Sequence, residues 1–200
     1  MSSRDDILTS VRANRPNVER PLPAVPMFDA ERPASLLAEF KGNLERMGGI
    51  FLESSAAGDL LAPVRAKIAN AKVVCSTVPE IAGNRDIAHV RTPQDVADVD
   101  FAIVRAAFAV AETGSVLLND KELRVNAVAY LAQHLIVLID PSDIMVNLHH
   151  AYRRPEFRDG HYAAFHTGPS ATADIEGVLI HGAQGVRSLS VVPVARARTL

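Results

Sequence analysis

Two spacings of apolar residues divide the chain. Unbroken apolar runs such as Leu135–Ile139 read as buried strands, and apolar residues recurring every three or four positions read as amphipathic helices. Ile7, Leu8 and Val11 form a helical stripe over Ser3 to about Asn14, with Ser3 and Asp6 spaced as a capping box. A helix this short is marginal alone, so it is expected to dock on the main domain or on another subunit. Pro16, Pro21, Pro23 and Pro26 follow. Prolines so close together disfavour helix and central strand and predict an extended, semi-rigid arm. Pro33 opens a second helix, with Leu36, Leu37, Phe40, Leu44 and Met47 on one side and Gly48-Gly49 as its stop.

The remaining elements alternate. Ile50–Leu52 predicts a short strand, Leu60–Asn70 a helix and Val73–Ser76 a buried strand. Ile103–Val110 and Ser115–Leu118 are strands that pair, or run on nearly continuously, across a tight Glu112-Thr113-Gly114 break. Lys121–Leu131 reads as helix, His134–Ile139 as strand, Ser142–Tyr152 as a helix capped by Ser142, and Arg153–Gly160 as a charged loop. Tyr162–His166 is a strand, Ser170–Val178 a helix and Leu189–Val194 the last strand. The alternation predicts an α/β domain with a mostly parallel sheet over residues 33–200, preceded by a helix and arm over 1–32. There is no internal repeat.

Composition narrows the function classes. Apolar residues make up 48% of the chain, enough for a sizeable core. A formal charge of −2 gives no broad basic footprint for nucleic acid. The long apolar stretch Val125–Ile139 is interrupted by Asn126, Gln133 and His134, so no membrane span is expected. Met1–Asp6 is polar, without a signal-peptide core, and a cytoplasmic protein is expected. Cys75 is the single cysteine. No internal disulfide and no self-contained iron–sulfur cluster can be built from it, so no cofactor is expected in this chain.

Two stretches carry candidate chemistry. The run from His166 through Thr167-Gly168-Pro169-Ser170-Ala171-Thr172-Ala173-Asp174 reads as a strand end, a glycine turn and the first turn of a helix. Pro169 suits an early helical position, Ser170 and Thr172 can cap it, and Asp174 and Glu176 complement its dipole. Such an end either receives an anion or is a well-capped structural helix. His166 lies just before the turn and is expected to face the same crevice as Glu112, where it can hold a proton. Glu112 sits at the end of an apolar strand. It is a candidate nucleophile or base, or a carboxylate that caps the turn or pairs with Arg105 or Arg124. His149 and His150 point about 100° apart on a helix, and no histidine pair has a matching carboxylate, so no metal site is expected.

Together, Ala107–Leu118 and the Gly-Pro-Ser-Ala-Thr-Ala-Asp-Ile-Glu run strongly resemble the LUD (lactate-utilisation) domain family, LutC/YkgG type. His134–Leu138 followed by Asp140-Pro141-Ser142-Asp143-Ile144 also matches, as does the closing His181-Gly182-Ala183-Gln184-Gly185, although Gln184 stands where the family pattern has proline. The resemblance spans about residues 35 to 200. It implies the NagB/RpiA/CoA-transferase-like fold, a three-layer sandwich. It further implies a component of a bacterial-type L-lactate utilisation system that oxidises lactate to pyruvate beside iron–sulfur partner proteins. A small organic acid or anion is the expected ligand, held by Thr113, Gly114, His166, Gly168, Ser170, Thr172 and Asp174, and a homo-oligomer is possible. The alternative is an enzyme: Glu112-Thr113-Gly114 is similar to the Glu-x-Gly around the nucleophile of class I CoA transferases. The Gly-x-Gly-x-Phe loop of those enzymes is missing here.

Overall fold

A computed structural model describes residues 2–16, 20–53, 58–174 and 176–197. Its centre is a five-stranded, wholly parallel sheet built from β1 (Ile50–Phe51), β2 (Val74–Ser76), β3 (Phe101–Arg105), β6 (His134–Ile139) and β11 (Ser188–Pro193). The spatial order is β1-β11-β6-β3-β2, with the C-terminal strand beside the middle one. The apolar runs explain this placement, because strands covered on both faces need apolar residues at every position. Leu135 to Ile139 are all fully buried.

Alternate residues of these strands face two cores. Ile103, Ile136, Leu138 and Val192 pack with Val64 of α3 (Ala62–Ile68). Ala102, Val104, Leu135, Val137, Ile139 and Val191 face the other way. There they meet Phe40 and Leu44 of α2 (Leu36–Arg46) and Ala109, Val116 and Leu118 of a second sheet. That sheet has four strands in the order β7-β4-β5-β8: β7 (Ile144–Met145), β4 (Phe108–Val110), β5 (Ser115–Asn119) and β8 (Ala163–His166). The chain passes between sheets in a single step. Ala106 N–H donates to Leu138 of the first sheet (2.9 Å), and Ala107 N–H to Leu117 of the second (2.9 Å). The mostly parallel α/β architecture is therefore as expected. The strand anticipated over Ile103–Val110 divides at this step, and β4 and β5 pair as an antiparallel hairpin around Glu112-Thr113-Gly114.

Several local expectations are corrected. The N-terminal helix α1 (Ser3–Ala13) is capped one residue earlier, by Ser2 and Asp5. Helix α2 is capped by Ser35, whose hydroxyl accepts from Ala38 N–H at 3.2 Å. Lys121–Leu131 is broken at Arg124, whose φ is 60°, into α4 (Asp120–Leu123) and α5 (Val128–Leu131). Ser142–Tyr152 contains a 3-10 turn, β7 and only one turn of helix, α6 (Leu148–Ala151), capped by Asn147. The charged loop includes α7 (Pro155–Arg158).

The largest correction concerns Ser170–Val178, of which Ile175 lies outside the described residues. Instead of a helix, β9 (Ala171–Thr172) pairs antiparallel with β10 (Ile180–His181). Serine, threonine and aspartate stabilise turns by the same side-chain bonds with which they cap helices, and here the hairpin takes them.

Part of the proline-rich stretch, residues 17–19, lies outside the described residues. Its far end is anchored to the domain: Asn147 Nδ2 donates to Met27 O (2.8 Å), His150 bonds Asp29 (2.7 Å), and Phe28 lies against His149. Helix α1 buries none of its residues.

Two glycines fix where the loops meet α2. A Cβ on Gly114 would stand 2.2 Å from Leu44 N, and one on Gly168 would stand 2.1 Å from Met47 O. Both have positive φ, 66° and 68°, which glycine alone adopts without strain. Gly114→Ala is expected to lose about 3 kcal/mol or more in urea denaturation, from left-handed strain and overpacking together. Gly177→Ala is the control, with φ 70° and nothing within 4 Å of its Cβ position; it should lose only about 1 kcal/mol. Equal losses would refute the packing argument. Removing residues 1–15 should leave the melting temperature unchanged, and a clear drop would mean that α1 packs on its own domain.

Candidate functional site

The last turns of α2 stand between the two motif loops. Asn43 is buried there. Its Nδ2 donates to Ala111 O (2.8 Å), Glu112 O (3.0 Å) and Glu39 Oε1 (2.9 Å), while its Oδ1 accepts from Arg46 Nη1 (2.6 Å). One side chain thus positions both the Glu112 hairpin and the Arg46 guanidinium. The hairpin is held from its other side by Ala111 N–H on Met145 O (2.8 Å) and Glu112 N–H on Val146 O (3.1 Å).

The Glu112 carboxylate is exposed, and its Oε2 accepts from Leu148 N–H at 3.0 Å. It therefore caps the start of α6. Neither Arg105 nor Arg124 pairs with it. Arg105 is buried elsewhere, donating to Val194 O (2.9 Å) and paired with Glu80.

Two cavities share Asn43, Arg46 and Glu112 in their walls. The larger, about 480 Å³, opens under the arm beside Phe28, Glu39 and His149. The second, about 330 Å³, adds Met47, Thr113, Ser115 and Thr167. Ser115 and Thr167 hydroxyls are hydrogen-bonded to each other. Thr113 Oγ1 is buried, with no hydrogen-bond partner among the described residues. Arg46 is in no ion pair among the described residues.

His166, Gly168 and Ser170 line a third cavity of about 260 Å³, with Tyr130, Gln184 and Gly185. Thr167 borders both the second and third cavities. Glu112 and His166 thus face different cavities, as do Glu112 and Ser170. Ser170 N–H donates to Val186 O (2.9 Å), and its carbonyl accepts from Gly182 N–H (2.7 Å), so its backbone is committed to the chain ahead of β11. Gly114 packs on α2 as described. Thr172 and Asp174 bond each other in the β9–β10 hairpin, away from these cavities (Thr172 Oγ1 to Asp174 Oδ2, 3.0 Å). With no helix among the described residues here, both readings of this end, the anion site and the well-capped structural helix, lose the helix N-terminus on which they rested. Asn43, Arg46, Ser115 and Thr167 were not among the expected site residues. An arginine closing an amphipathic helix reads in sequence as a simple dipole complement.

Among the described residues, no group of three or more histidine, cysteine or acidic side chains could hold a metal ion. None of their helices is long and apolar enough to cross a membrane. Cys75 is buried, and burial raises its thiol pKa.

The LUD domain family model matches residues 84–194, more than half of the chain. The chain belongs to the LUD domain family. The match includes both glycine loops but not α2. A curated relative, "Lactate utilization protein C" of Deinococcus radiodurans, is 24% identical over 196 residues, covering 92% of this chain and 90% of the relative. A crystal structure of a DUF162 family protein from Deinococcus radiodurans superposes with a TM-score of 0.60 at 17% identity, over 83% of this LUD protein and 98% of that chain. At that identity the likeness establishes the fold.

His166 supplies a pH test of this LUD domain. Its Nε2 is buried, with no hydrogen-bond partner among the described residues, and burial holds its pKa below the ordinary histidine value. The unfolded chain therefore takes up this proton more readily than the folded one. The stability is fully present above about pH 6.5 and is lost as pH falls towards the lowered folded pKa. His166→Phe should lessen the fall in melting temperature between neutral pH and pH 5. His134, also lowered chiefly by burial, should keep some slope in that variant. Identical slopes would show that His166 is solvated.

Proposed function

We propose that this chain serves lactate utilisation as a component acting beside iron–sulfur partner proteins that oxidise lactate to pyruvate. The observation that carries this is the likeness to lactate utilization protein C along nearly the whole of both chains. Lactate oxidation releases two electrons and two protons and needs an acceptor. A four-thiolate cluster takes four cysteines, and these 200 residues hold one, which is buried. The electrons then pass to a partner's centre. The exposed Ile7 and Val11 of α1 support docking on such a partner.

A second reading keeps Glu112 as a nucleophile in acyl exchange with a CoA thioester. Its favouring observation is the carboxylate's position, exposed at a hairpin turn on the wall of two cavities. The bond to Leu148 N–H weighs on the other side, because it commits one oxygen to capping.

Growth separates these readings. A host lacking its own copy should fail on L-lactate as sole carbon source, recover with this gene, and yield iron–sulfur proteins on affinity purification of the tagged chain. Normal growth on lactate without the gene would contradict the reading. Incubation with an acyl-CoA and a hydride reductant should leave the Glu112 peptide unmodified in mass spectrometry. A labelled Glu112 would favour the acyl-transfer enzyme instead.

A further inference from the structure

We propose that the 330 Å³ cavity between α2 and the β4–β5 hairpin binds a small α-hydroxy acid, with Arg46 holding its carboxylate and Glu112 and Thr113 its hydroxyl. The choice of acid rests on the lactate-utilisation reading; the choice of residues rests on the geometry. Arg46 and Glu112 line the same cavity, yet among the described residues they are not ion-paired with each other. Opposite charges that share a cavity without touching can be joined by a ligand carrying an acid and a hydrogen-bond donor on neighbouring atoms. The guanidinium has five N–H donors, of which the hydrogen bond to Asn43 Oδ1 uses one. The rest suit a planar carboxylate, the partner arginine binds with two parallel bonds.

At the other pole, Glu112 Oε2 is occupied by Leu148 N–H, while among the described residues Oε1 accepts nothing. Thr113 Oγ1 is buried with no partner among the described residues, and a buried hydroxyl left unpaired is destabilising. A ligand hydroxyl can donate to the carboxylate, and a change of the Thr113 χ1 rotamer, which breaks no hydrogen bond among the described residues, turns Oγ1 from its buried position to the cavity so that it donates to the same ligand oxygen. A keto oxygen offers only lone pairs and would face the Glu112 carboxylate without a proton between them. An acid with no substituent leaves both groups as they are. The cavity should therefore prefer hydroxy acid over keto acid and over plain acid, since a site built to bond a hydroxyl discriminates against analogues lacking it. Glu39, which shares the larger cavity with Arg46, gives Oε1 to Asn43 and forms no ion pair with Arg46 among the described residues.

The test is calorimetric titration of the purified full chain with L-lactate, pyruvate and propionate. L-lactate should bind saturably and at least ~10-fold more tightly than either analogue. Arg46→Gln should weaken lactate and propionate alike by ~10-fold or more, and Arg46→Lys should recover part of the loss. Thr113→Val should remove much of the advantage of lactate over propionate while leaving propionate unchanged. Melting curves of each variant exclude unfolding as the cause. The proposal is overturned if wild type binds no lactate saturably, if it binds propionate equally well, or if folded Arg46→Gln binds lactate like wild type. Restored growth on lactate without Arg46-dependent binding removes this site and leaves the cellular role standing. Arg46-dependent lactate binding by a protein that fails to restore growth keeps the site and removes the role.

Discussion

The side-chain amide of Asn43, buried on the last full turn of α2, ties the helix to the β4–β5 hairpin. It bonds the carbonyls of Ala111 and Glu112 in the β4–β5 hairpin and orients Arg46 on its own helix. Stranding a buried carbonyl costs about 1–3 kcal/mol, so these bonds specify where the hairpin lies. Gly114 makes the approach possible, because only a residue without Cβ fits against the backbone of Leu44. Gly168 repeats the device one turn later, against Met47. The two loops that mark the family thus close on the same helix end, which itself lies outside the matched region.

This arrangement gives the glycine loops a structural role first and a chemical one second. The loops bring Thr113, Ser115 and Thr167 beside Arg46, and the cavity between them follows from the packing. The third cavity, around His166, lies on the far side of Thr167. It is lined in part by apolar side chains, which suits a neutral imidazole better than a charged one. Charge is thereby concentrated at the α2 end of the crevice, where Arg46 and Glu112 stand.

Much of the fold was legible in the sequence. His134–Ile139, Val74–Ser76 and Ser188–Pro193 lie in or close to the apolar runs that predicted them, since strands of a buried parallel sheet must be apolar throughout. Helix α2 was legible from its stripe and from Gly48-Gly49. The segment after Gly168 was not, because Pro, Ser, Thr and Asp serve helix caps and turns alike; here β9–β10 pairing decided for the hairpin. The mid-chain helices were overextended because short apolar runs fit a buried turn or strand as well as a helix. The site was legible only in part. Glu112 and Thr113 stood out by their position at a break between apolar strands. Asn43 did not, since its importance arises from contacts with residues nearly seventy positions away, and Arg46 did not, since folding alone brings it to the cavity that Glu112 lines.

The central claim is that one turn of α2 organises both loops. Native-state amide hydrogen exchange in Asn43→Ala tests it most directly. Protection should fall together at Glu112, Gly114 and Ser170, whose amides bond Val146, Ala111 and Val186, while Leu135–Ile139 in the parallel sheet stay as protected as in the wild type. Unchanged protection at Glu112 and Gly114, or loosening of the hairpin with Ser170 unaffected, would contradict it.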